Sequence, residues 1–116
     1  MVNETDRELL GWAAKAAGYK KYFAHYLGRD SFVTYDEEYY SEIKERRVVG
    51  EKTLDWNPFD DDGDAFRLAV KLHLLYGINT DILNHYLELQ LPSDDPYAAT
   101  RRAIVRAAAE IGSNMP

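Results

Sequence analysis

The residues best placed to do chemistry are the four aspartates of "WNPFDDDGDAFRLAVKL", Trp56 to Leu72, where Asp60, Asp61, Asp62 and Asp64 surround Gly63. Three readings compete. A calcium loop of the EF-hand type needs ligands at positions 1, 3 and 5, glycine at 6 and a bidentate glutamate at 12. Placing Gly63 at the sixth position puts Pro58 at the first and Ala69 at the twelfth, so the match fails at both ends. Phosphoryl transfer needs an aspartate at the end of a buried strand, with magnesium and a cradle of backbone donors. The preceding "DWNPF" is too short and too proline-broken to be that strand. The third reading is a helix start: Asp61 or Asp62 caps it, and Asp64 sits in the positive first turn.

No other constellation stands out. The three histidines, His25, His73 and His85, are scattered, and no pair has the spacing that puts two imidazoles on one helical face. Cysteine is absent, so zinc would have to use these histidines with carboxylates. There is no glycine-rich phosphate loop, nucleophile elbow or paired-carboxylate motif. The expectation is therefore no catalytic residue, no metal and no cofactor. The alternative from another class is a small metal-dependent enzyme using the Asp60 to Asp64 turn with His85 or His73.

A binding surface is suggested instead by "YDEEYYSEIKERR". Tyr35, Tyr39 and Tyr40 bracket Asp36, Glu37 and Glu38, and Arg46 and Arg47 follow. Tyrosine and arginine are enriched at interfaces because each brings large contact area with a polar tip. These eight residues are the expected partner-binding set.

The elements that position these residues follow from capping and periodicity. Thr5-Asp6-Arg7-Glu8 is a capping box, after which Leu9, Ala13, Ala16 and Ala17, with Leu10 and Ala14, fall at helical spacing before Gly18. Residues 19 to 30 fit a helix or a strand equally. "SFVTY" (31 to 35), "RRVVG" and "KTLDW" read as strands. Ala65, Leu68, Ala69 and Leu72 make the buried stripe of the helix begun by the aspartates, with Arg67 and Lys71 outside. "HLLYGINTD" either extends that helix or opens a strand, with a break at Gly77. Leu83, His85, Leu87, Leu89 and Leu91 alternate with polar residues, the pattern of a half-buried strand with His85 at a sheet edge. In the last segment Asp95 is the N-cap, Pro96 the first helical residue and Gly112 the stop; Tyr97, Ile104, Ala108 and Ile111, flanked by Ala98 and Val105, form the inner face.

The chain has 116 residues, enough for a single domain over 1–116 that buries about two-thirds of its unfolded surface. Its net charge of -6 disfavours direct nucleic-acid binding, which relies on clustered lysine and arginine. Acid is concentrated between residues 55 and 95, where only Arg67 and Lys71 oppose nine acids. No leader or membrane span is read from the sequence, and the lack of cysteine fits a reducing cytoplasm.

Three blocks, "ELLGWAAKAAGY", "WNPFDDDGDAFRLAVKL" and "DDPYAATRRAIVRAAAEIG", together resemble the phage ABA sandwich domain family of small phage and prophage proteins. The likeness covers roughly half the chain. It implies an α+β fold, an antiparallel sheet sandwiched by about three helices, with no catalytic residues to carry over. Together with the acidic charge, the absence of a catalytic constellation and the tyrosine-rich acidic segment, the phage-like blocks lead to the expectation of a phage-encoded, non-enzymatic binding protein in the bacterial cytoplasm. The expected role is inhibition of a host defence system such as CRISPR-Cas, by contact with a host protein whose basic surface handles nucleic acid. A phage accessory protein that only self-associates is the further alternative.

Overall fold

The structure, a computed structural model, describes residues 5–24, 29–33, 39–41, 46–48 and 56–116, with side chains for 5–19 and 56–116. Its core is helical. Four helices, α1 (Asp6–Ala17), α2 (Asp62–Lys71), α3 (Thr80–Gln90) and α4 (Pro96–Ser113), pack with α4 at the centre, against which the other three are laid. Between α1 and α2 the described strands form two separate two-stranded antiparallel ladders, β1 (Lys20–Ala24) with β2 (Arg29–Val33) and β3 (Tyr39–Ser41) with β4 (Arg46–Val48).

The expected α-β-α sandwich is therefore wrong. No sheet layer lies between helices among the described residues, and the fold that the family resemblance implies is not adopted. The clearest source of the error is α3. Leu83, Leu87 and Leu91 recur every fourth residue, a spacing common to strand and helix alike. The discriminating positions are Ile82 and Tyr86, which pack on the core, and Leu89, which is 58% exposed. Positions 82, 83, 86 and 87 form one helical stripe against α4. Ile82 is the one β-branched residue from 81 to 91, whereas Leu, Glu and Gln favour helix. His85 accordingly sits on the exposed face of α3, its ring 5.0 Å from that of Tyr86, and not at a sheet edge.

The helix ends follow the local rules. The Thr5 hydroxyl accepts from the Glu8 backbone N–H, and the Glu8 carboxylate accepts from the Thr5 backbone N–H, both at 3.2 Å. Gly18 ends α1 in the left-handed region at φ 80. Asp95 accepts from the Ala98 N–H at 3.0 Å, and Pro96 opens α4. The segment between α2 and α3 neither continues the helix nor forms a strand. It is a turn in which His73 (φ 58) and Gly77 (φ 110) take left-handed conformations, tied off by the Asn79 side-chain amide donating to the Leu72 carbonyl at 2.7 Å.

Two expectations for α4 also need correction. Gly112 does not stop the helix, which runs on to Ser113. It lies inside α4, where a Cβ would fall on the carbonyl oxygen of Trp12 and 2.8 Å from its carbonyl carbon. Its smallness is a packing requirement. Tyr97 is 72% exposed, because Ala99, two residues on and across the helix, takes the inner position. The buried residues of α4 are Ala99, Ala103, Ile104, Val105, Ala107, Ala108, Ala109 and Gly112, with Ile111 partly buried against the core, so the expected Ile104, Val105, Ala108 and Ile111 do face inward. Alanines Ala13, Ala14 and Ala17 of α1 join the same core.

Among the described residues, no helix is long and apolar enough to cross a membrane. Leu68 is fully buried at the centre of the α2 stripe, so Leu68→Ala should destabilise the protein by about 2 to 5 kcal/mol in urea unfolding. A loss below about 0.5 kcal/mol would mean that the inner face of α2 is misassigned.

Candidate functional site

The aspartate turn is anchored from below by apolar residues. Trp56 and Pro58 are buried, and the Trp56 ring meets Tyr19 edge-on, with centroids 5.3 Å apart. Above them every aspartate has a protein partner. Asp61 accepts from the Asp64 backbone N–H at 2.7 Å and is the N-cap of α2. Asp64, 8% exposed, accepts from the Asn57 backbone N–H at 2.9 Å and from Arg67 Nη2 at 2.8 Å. Asp60 accepts from the Asn57 side-chain amide at 3.0 Å, and Asn57 Oδ1 accepts from the Phe59 N–H at 3.0 Å. Asp62 takes Arg101 Nη1 at 2.7 Å, while Arg101 Nε donates to the Phe59 carbonyl at 2.7 Å.

This arrangement closes a turn and docks it on α4. The carboxylates point at backbone donors and guanidinium groups, which is the geometry of caps and clamps. Among the described residues no three His, Asp or Glu side chains gather as a metal site. A cleft of about 380 Å³ lies beside the turn, lined by Asp6, Phe59, Asp60, Ser93, Asp95, Arg101 and Arg102, among others. Its arginines are committed. Arg101 holds Phe59 and Asp62, and Arg102 donates to Asp6 at 2.8 Å while lying 5.2 Å from the Phe59 ring centre.

Of the eight residues expected to bind a partner, Tyr35, Asp36, Glu37 and Glu38 lie outside the described residues. The other four share one ladder. Tyr39 and Tyr40 are in β3 and Arg46 and Arg47 in β4, in a register that sets Tyr40 opposite Arg47 and Tyr39 opposite Val48.

A second surface was not expected. Phe66 (60% exposed) and Val70 (51%) stand one turn apart on α2, and Leu75 (47%), Tyr76 (85%) and Ile78 (86%) follow in the turn to α3. The signal was present in the sequence. Residues 65, 66, 68, 69, 70 and 72 are all apolar, too many for one stripe, so α2 carries a second apolar edge beyond the one that fills the core.

The chain matches no family model, no curated protein and no solved structure.

If the aspartates serve the turn, Asp61→Ala should cost about 1 kcal/mol as a lost cap. Asp64→Ala should cost about 1 to 3 kcal/mol, because it strands the part-buried Asn57 N–H. Millimolar magnesium, manganese or calcium should leave the melting temperature of the unaltered protein in place. A rise with metal that the Asp64 variant abolishes would make these residues ligands.

Proposed function

We propose that the chain is a phage-encoded, non-enzymatic binding protein that acts in the bacterial cytoplasm by protein-protein contact, inhibiting a host defence system such as a CRISPR-Cas complex. The observation that carries the binding reading is the exposure of Phe66, Val70, Leu75, Tyr76 and Ile78 within 13 consecutive residues, beside an aspartate turn whose carboxylates are occupied by structural partners. Large apolar side chains held out of the core within so short a stretch are candidates for contact with a partner. Tyr76 and Ile78 are the most exposed and have the shape of hot-spot anchors for a partner's pocket.

Charge supports the choice of partner. An acidic protein of net charge -6 is steered toward basic surfaces, and complexes that handle nucleic acid present such surfaces. The phage origin rests on the three sequence blocks alone. The β3–β4 ladder, with Tyr39, Tyr40, Arg46 and Arg47, is the second contact region in this reading.

The test is plasmid transformation of a bacterium whose CRISPR-Cas system targets that plasmid. Expression of the protein should restore transformation. Tyr76→Asp combined with Ile78→Asp should abolish the protection while circular dichroism and melting temperature stay unchanged, as expected for exposed positions. Tyr39→Ala and Tyr40→Ala should weaken it if the ladder contributes, each by about 2 kcal/mol in direct binding. Absence of protection across the host's defence systems would remove the inhibitor reading. Full protection by the double aspartate variant would remove the apolar surface from it.

A further inference from the structure

The outer face of α1 carries a shallow groove lined by Glu8, Gly11, Trp12 and Lys15, spaced as one stripe along the helix. Trp12 is 36% exposed at its middle, and the apolar faces already assigned to the core and to the host partner do not include it. The two ends of the stripe carry opposite charges seven residues apart. Its midpoint falls between Gly11 and Trp12, so the smallest residue and the largest stand beside one another at the centre.

That order is self-complementary under one symmetry only. If a second α1 crosses antiparallel about a two-fold axis through the midpoint, Glu8 meets Lys15 of the other copy, Lys15 meets its Glu8, and Trp12 of each copy lies over Gly11 of the other. A parallel pairing would set Glu8 against Glu8 and Lys15 against Lys15. An isologous interface requires residue i to contact j while j contacts i, and this stripe meets the condition at each lining position. Gly11 leaves room for the opposing indole. The antiparallel crossing also opposes the helix dipoles favourably.

The charged groups retain capacity for the pairing. Glu8 uses Oε1 toward Thr5 in the capping box, leaving Oε2. Lys15 has three donors, of which one reaches the Met115 carbonyl at 3.1 Å while the ammonium lies 5.4 Å from the Trp12 ring centre.

We propose that α1 is a self-association face whose occupant is a second copy of this chain, packed antiparallel with reciprocal Glu8–Lys15 pairs around a Gly11–Trp12 centre. A helix of 12 residues is about 18 Å long, so the buried patch is smaller than that of tight dimers and the association is weak and concentration-dependent. The inference does not depend on the host target, since the purified protein alone is measured.

The experiment is sedimentation equilibrium from micromolar to near-millimolar protein at low salt. The weight-average mass should rise from the 13.4 kDa of one chain toward twice that value. Glu8→Lys and Lys15→Glu should each shift the dissociation constant upward at least about tenfold, because each sets two like charges together at both ends. An equimolar mixture of the two variants should regain the association of the unaltered protein, since the lysine introduced in one variant then meets the glutamate introduced in the other, and the native Lys15 of the first meets the native Glu8 of the second. Recovery also shows that both variants are folded. Glu8→Gln, which keeps the capping acceptor while removing the charge, should give an intermediate weakening. A protein that stays monomeric throughout, variants that associate unchanged, or a mixture that fails to recover would each overturn the proposal.

Discussion

The contact on which the rest of the molecule depends is the approach of α1 to α4 at Gly112, where the Trp12 carbonyl occupies the space a side chain would take. Two helices can come so close only if the residues at the crossing are very small. Hence the alanines: Ala13, Ala14 and Ala17 on α1, and Ala103, Ala107 and Ala108 on α4, all but fully buried. Each alanine buries little apolar area by itself, so the seam gains from dispersion between closely spaced backbones more than from large side chains. The larger residues Leu68, Leu74, Leu83 and Val105 fill the remaining space between α4, α2 and α3.

From that seam α4 reaches outward with three arginines, each to a different neighbour. Arg101 holds the turn before α2, Arg102 holds Asp6 at the start of α1, and Arg106 lies 4.8 Å from the ring centre of Tyr86 on α3, whose hydroxyl donates to Glu110 at 2.8 Å. The two ion pairs among them, Arg101–Asp62 and Arg102–Asp6, reach exposed carboxylates and contribute at most about 1 kcal/mol each. Their main effect is orientation, with the less exposed Arg101 the firmest because it also satisfies a backbone carbonyl. The acidic turn is thus a docking device for α2. Phe66, Val70, Leu75, Tyr76 and Ile78 stand exposed apart from these arginine-held contacts.

Local chemistry was legible wherever one residue type has one job. The capping box at Thr5 and Glu8, the Asp95 cap, a cap at Asp61 or Asp62, Pro96 and the Ala65–Leu72 stripe are readable because caps and a 3.6 period leave few alternatives; the structure selects Asp61. Tertiary roles were not. Gly112 looks like a helix stop in sequence because a glycine that ends a helix and one that admits a neighbouring backbone are written alike. The leucines of α3 satisfy two periods at once, and only the presence of α4 beneath Ile82 and Tyr86 selects the helix. The sheet sandwich followed from that misreading and from the family resemblance together. For the binding site, Tyr39, Tyr40, Arg46 and Arg47 do share one ladder, but the stripe of Ala65, Leu68, Ala69 and Leu72 assigns no face to Phe66 and Val70, whose exposure follows from the packing of α2.

The close approach of α1 to α4 is tested most directly by the stability of Gly112→Ala in chemical unfolding. At an uncrowded interior helical position this change is worth roughly 0.5 to 1 kcal/mol in favour of the folded state, since alanine is the better helix former. Here the added methyl meets the Trp12 backbone, which no rotamer change can move aside. The expected result is a loss of about 2 kcal/mol or more, in the range of overpacked cores. A variant as stable as the parent, or more so, would contradict the close α1–α4 seam and the architecture built on it.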